Sequence, residues 1–132
     1  MRRYVFDTSA LLCYLRDEPG SHQVYKILRS KESLLHMHRV NLGELHYGIM
    51  KKDGEEKANE VLGILIQYPI QFVNDLSDPF LVTTSRFKVD HGLGFADAFA
   101  AATALLNKAV LVTKDNDFRT LTKKKILEVF WI

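Results

Sequence analysis

Short, almost wholly apolar runs of strand length alternate along this chain with longer stretches of helical spacing, and that alternation is the tightest constraint on its fold. Tyr4-Val5-Phe6, SLLHMH (33–38), IQFV (70–73), AVLVT (109–113) and LEVFWI (127–132) read as strands. Helical spacing covers 8–16, with Thr8, Ser9 or the preceding Asp7 as its cap, and runs from Pro19 to about Arg29 and from Val40 to Lys51. It returns over Glu55 to Gln67, from Asp78-Pro79 to about Val89, and over the alanine-rich Phe95 to Leu106. Apolar strands separated by helices need crossover connections that cover both sheet faces. The pattern therefore predicts a three-layer α/β/α sandwich with a short, mostly parallel sheet.

The chain has 132 residues, 47% of them hydrophobic, enough to bury a core. No repeat, low-complexity stretch or Pro/Ser-rich linker divides it, so one domain over 1–132 is expected. The apolar runs at 61–66 and 98–106 are too short to span a bilayer. The opening MRRYVFDTSALL is interrupted by Asp7 and has no small-residue cleavage site, so it reads as a core strand and not as a leader. Cys13 is the only cysteine, which excludes an internal disulfide or thiolate cluster and fits a reducing compartment such as the cytoplasm. The five histidines show no paired zinc spacing.

Acids stand where such a fold places ligands, beyond the carboxyl ends of strands. Asp7 follows the first strand directly, Asp115 and Asp117 follow AVLVT, Asp97 lies in the first turn of its helix, and Glu44 lies one turn after Asn41. Carboxylates gathered together raise one another's pKa unless a cation compensates, and an all-oxygen set suits Mg²⁺ or Mn²⁺. Setting these five aside from the 16 acids leaves 11 against 18 Lys and Arg, a basic surround suited to a polyanion. The implied chemistry is metal-assisted phosphodiester hydrolysis. Lys123-Lys124-Lys125, Lys51-Lys52 and Arg2-Arg3 are the candidate phosphate contacts, and Tyr14, Tyr47 and Phe118 are candidate stacking residues, although core packing accounts for such aromatics as readily.

The segments VFDTSALL (5–12), NLGEL (41–45), GLGFADAFAAATAL (92–105) and LVTKDNDF (111–118), in that order and spacing, resemble the PIN-domain family, and in particular its VapC-type toxin nucleases. The resemblance spans nearly the whole chain. It implies an RNA-cleaving hydrolase with Asp7, Glu44, Asp97 and Asp115 as catalytic acids, Asp7 and Asp97 ligating the metal directly. It further implies Thr8, Ser9 and Thr113 as supporting hydroxyls, and Asp117 as a competing candidate for the fourth acid. Asn41 stands where many members carry Ser or Thr. A toxin of this type implies a homodimer, a small antitoxin that inserts a basic side chain among the acids, and products with 5′-phosphate and 3′-hydroxyl ends.

Two binding-module alternatives stand beside the enzyme. A response-regulator receiver is suggested by Thr113-Lys114 and Asp75, but it wants an acidic pair after the first strand and has no place for Glu44 or Asp97. A catalytically inactive PIN-like scaffold conflicts with the presence of all four acids. A haloacid-dehalogenase phosphatase would need Asp where Ser9 stands.

Overall fold

The computed structural model describes all residues, Met1–Ile132. In chain order the elements are β1 (Arg2–Phe6), α1 (Thr8–Leu15), α2 (Ser21–Arg29), β2 (Ser33–His38), α3 (Arg39–Asp53), α4 (Glu55–Leu65) and β3 (Ile70–Val73). They continue with α5 (Asp78–His91), α6 (Phe95–Leu106), β4 (Val110–Thr113), a 3₁₀ turn over Asn116–Phe118, α7 (Arg119–Lys123) and β5 (Val129–Trp131). The strands form one sheet in the order β3-β2-β1-β4-β5, and every neighbouring pair is parallel. The predicted α/β/α sandwich is the observed architecture.

Strand alternation explains why the central strands are apolar on both sides. Val5 and Leu111 face a core completed by Phe80 and Phe87 of α5, the α6 alanines, Phe118 and Leu121. Phe6 and Val112 face the opposite core, with Leu11, Val24, Ile27, Leu42, Leu45, Val61 and Leu65 from α1 to α4. In α6, Ala98, Ala100, Ala101, Ala102 and Ala104 are all fully buried, so small side chains let this helix lie close on the sheet and against its neighbours. His38 belongs to the scaffold: its Nδ1 accepts the Val40 N–H at the start of α3, and its ring packs on Phe80 and Phe99.

Several boundaries differ from expectation for local reasons. Of the three candidate caps of the first helix, the structure uses Asp7 and not Thr8 or Ser9, its carboxylate accepting the Ala10 N–H at 2.9 Å. Pro19 does not open α2. Gly20 follows it at φ +105°, pressed so near Ile132 that a Cβ would come within 3.0 Å of backbone, and the helix starts only at Ser21. α5 runs two residues past Val89 to His91 and stops at Gly92 in the left-handed region. The segment after Asp115 is more ordered than a turn, since Phe118 and Leu121 are buried and anchor the 3₁₀ turn and α7.

No helix is long and apolar enough to cross a membrane. The tight seating of α6 makes Ala101→Leu a test of the packing. Over-filling this site should cost about 1–3 kcal/mol, seen as a lower urea midpoint with an unchanged denaturant slope.

Candidate active site

The chain builds β1, β2 and β3 outward in one direction, then returns to lay β4 on the other side of β1. That reversal leaves a crevice at the carboxyl ends of β1 and β4, where open parallel sheets hold their ligands. Asp7 follows the last residue of β1, and Asp115 lies two residues past the end of β4. Asp97 arrives from the first turn of α6 and Glu44 from the second turn of α3.

Asp7 is buried, at 2% exposure, and is held on every side. Its Oδ1 accepts the Ser9 hydroxyl at 2.8 Å and the Ala10 N–H at 2.9 Å, while its Oδ2 accepts the Thr113 hydroxyl. Thr113 Oγ1 in turn accepts the Asp115 N–H at 2.9 Å, and Ser9 Oγ accepts the Lys114 N–H at 2.9 Å. These two hydroxyls tie the end of β1 to the end of β4. Asp115 Oδ1 accepts the Asp117 N–H at 2.9 Å, which closes the 3₁₀ turn and brings the next acid back toward the crevice.

Asp97, Asp115 and Asp117 each present a carboxylate oxygen, all within 4.8 Å of one another. The structure thus brings both Asp115 and Asp117 to Asp97, where the sequence posed them as alternatives. Asp7 and exposed Glu44 lie outside this trio but act on it through charge. Burial, followed by the charges of Asp115, Asp7, Glu44 and Asp117, pushes Asp97 up to about 7. Asp7 is pushed up to about 6, with burial outweighing the hydrogen bonds from Thr113, Ala10 and Ser9 that pull it down. All five acids therefore share one electrostatic environment. An all-carboxylate donor set with three oxygens already convergent fits a hard divalent cation such as Mg²⁺ or Mn²⁺.

Asn41 works from beneath. Its Nδ2 donates to the Ala96 carbonyl at 2.9 Å and its own carbonyl accepts the Thr8 hydroxyl at 3.1 Å, so it bonds none of the site carboxylates and instead positions the backbone beside Asp97. Other candidates fall elsewhere. Arg2 pairs with Glu128 and Arg3 donates to the Asn107 carbonyl, both at the amino-terminal edge of the sheet, away from the acids. Phe118 is core, Tyr14 packs edge-on against Tyr68, and Tyr47, one turn beyond Glu44, is 62% exposed. Lys114 turns from the acids, its Nζ donating to the Pro19 carbonyl at 2.9 Å, and Asp75 lies in the loop after β3. The sequence reading overlooked Arg119 and Trp131. Their cue was a lone tryptophan closing the last strand and a cation between the fourth acidic motif and the lysine run.

An all-parallel sandwich with three acids converging at its strand reversal, and two more acting on them through charge, defines a small α/β protein built around a carboxylate site. The family model of the PIN domain matches residues 4–124, and the chain belongs to that family. Among solved structures, it is similar to VapBC2 from Rickettsia felis bound to a DNA fragment from their promoter, at 18% identity over 98% of each chain with a TM-score of 0.76. VapBC-1 from nontypeable Haemophilus influenzae aligns at 17% identity over 98% of this chain and 97% of that one, with a TM-score of 0.72. VapC20 from Mycobacterium tuberculosis, a Sarcin-Ricin loop cleaving toxin, aligns at 16% identity over 89% and 93%, with a TM-score of 0.71. No curated protein matches the chain in sequence. The solved structures thus support the PIN fold.

The raised acids set the pH response of the metal-free chain. Asp7 and Asp97 hold protons more tightly folded than unfolded, so their contribution to stability falls as pH rises from about 4 to about 7. Thermal melts in EDTA should show Asp97→Asn gaining Tm over the unaltered chain at pH 8 and little at pH 4. An equal gain at both values would show that charge crowding is not the cause.

Proposed function

We propose that this chain is a divalent-metal-dependent endoribonuclease, one domain over 1–132, acting as the toxin of a toxin–antitoxin pair. The observation that carries the reading is the convergence of Asp7, Glu44, Asp97, Asp115 and Asp117 at one crevice, with Asp97 pushed up to about 7. Such crowding is unfavourable for a scaffold and useful to a site that binds Mg²⁺ or Mn²⁺. PIN-domain membership and the fold shared with VapC20, whose described role is cleavage of the Sarcin-Ricin loop, support RNA as the substrate.

Asp97, Asp115 and Asp117 would hold the cation, joined by Asp7 through the lone pair left free by its three hydrogen bonds. When bound, a cation of this class lowers the pKa of coordinated water and stabilises charge on the phosphate. Thr113 and Ser9 keep the Asp7 carboxylate fixed in orientation, so it need not reorganise as charge develops. Glu44, exposed and without a hydrogen-bond partner, is free to orient an attacking water on the open side of the crevice. Asp115 holds Asp117 by accepting its N–H, and both would share the cation.

Likeness to members of the VapBC family of toxin-antitoxin systems supports the antitoxin assignment, and the homodimer and cytoplasmic assignments rest on the sequence resemblance alone. A basic side chain from such a partner would satisfy the same carboxylates by charge-assisted hydrogen bonds. The lone thiol Cys13 accords with a reducing compartment.

Purified protein incubated with structured and single-stranded RNA should cleave with Mg²⁺ or Mn²⁺ and not with EDTA. Asp97→Asn and Asp7→Asn should each lower the rate at least about 100-fold. Full activity in Asp97→Asn would remove this site as the catalytic centre. Mg²⁺ should also raise Tm more at pH 8 than at pH 5, because at the lower pH protons compete for Asp97.

A further inference from the structure

Beside the acids lies a second feature of different character. Arg119, Thr122, Lys123 and Trp131 line a cavity of about 310 Å³ between α7 and the last strand. The Arg119 guanidinium lies over the face of the Trp131 ring, 6.0 Å from its centre, so a stacking base takes its place there as the guanidinium turns to the phosphate; its Nε donates to Asn116 Oδ1 at 3.1 Å. Neither Arg119 nor Lys123 belongs to any of the ion pairs in the structure, so no carboxylate neutralises either charge.

Strand register and one hydrogen bond relate this cavity to the acidic site. Trp131 is the register partner of Thr113, whose hydroxyl holds Asp7, so the indole sits one strand across from the site on the carboxyl end of the sheet. Asn116, which accepts from Arg119, lies between Asp115 and Asp117. Trp131 packs partly on the core that includes Phe118 and Leu121, which fixes the ring while leaving it half-buried. A fixed indole, two unpaired cations and a hydroxyl, in a cavity of ligand size, match what a single-stranded nucleotide needs: a stacking surface for its base and donors for its phosphate.

We propose that Arg119, Thr122, Lys123 and Trp131 form a nucleotide subsite that holds one base and one phosphate of the RNA strand flanking the phosphodiester at the acids. Trp131 stacks the base, Arg119 and Lys123 contact the phosphate, and Thr122 supplies a neutral donor. The proposal rests on the nuclease reading for the identity of its ligand. It adds a directional path for the strand, from the carboxylates over the end of β4 toward α7.

Trp131 is the only tryptophan, so its emission reports this cavity alone. A short single-stranded RNA, labelled for anisotropy, is titrated with Mg²⁺ into Asp97→Asn protein, so that the strand stays intact. Saturable quenching of the tryptophan that tracks the anisotropy is expected. In the same background Trp131→Leu should bind roughly five- to a hundredfold more weakly, and Lys123→Glu should weaken binding and flatten its salt dependence. Lys123 is exposed, so its variant carries the test even if Trp131→Leu folds poorly. Unchanged emission at saturating RNA, no binding of RNA, or parent-like affinity in Lys123→Glu would each overturn the subsite. Cleavage by the unaltered chain is measured alongside. Quenching without cleavage would retain the subsite and remove the nuclease reading, whereas cleavage without quenching would remove the subsite alone.

Discussion

The repulsion among carboxylates at the strand reversal governs the design of this molecule. Two unit charges 4 Å apart near a protein surface cost about 4 kcal/mol, and here Asp97, Asp115 and Asp117 converge within 4.8 Å with Asp7 and Glu44 adding to the field. Asp7 also carries the cost of burial. What it receives in return is local: two hydroxyls and one backbone N–H. These bonds leave its pKa above the ordinary carboxylate value, and the corner keeps a concentration of acidic groups.

The scaffold around that corner is organised to hold the acids in place. Thr113 and Ser9 link the two central strands at their ends, so the spacing of Asp7 and Asp115 follows from sheet geometry and is not left to loop conformation. The alanines of α6 bring Asp97 close to the sheet, and Asn41 ties the backbone beside it to α3 and α1. A bulkier α6 would move the very helix that delivers Asp97. Stability and site geometry are therefore coupled through the same small side chains.

Much of the architecture was legible in the chain because it follows from periodicity. The bounds of β2, β3 and α6 match their patterns residue for residue, and Asp7, Asp97, Asp115 and Glu44 stand at ends or turns of elements that the pattern locates. Asp7 illustrates where such reading stops. Its place after a strand suggested either a helix cap or a member of an acidic site, and the structure shows the cap bond and the approach to the other acids in the same carboxylate. Asp115 and Asp117 were posed as rivals because a sequence cannot show that the backbone between them folds into a 3₁₀ turn. That turn exists because Phe118 finds the core. Arg2 and Arg3 looked like phosphate contacts from composition, yet they stand at the start of β1, and in a parallel sheet every strand start lies opposite the ligand end.

The sequence by itself determined the element types, the parallel sheet and the positions of the acids at element ends and turns, because apolar period and side-chain identity are local properties. Only the tertiary structure decided the order β3-β2-β1-β4-β5, and with it the place where the chain reverses and the acids meet. It also decided which acids converge most closely and that Trp131 lies across from Thr113 beside Arg119. These are contacts between residues far apart in the chain, and they follow from how the two cores pack against the sheet.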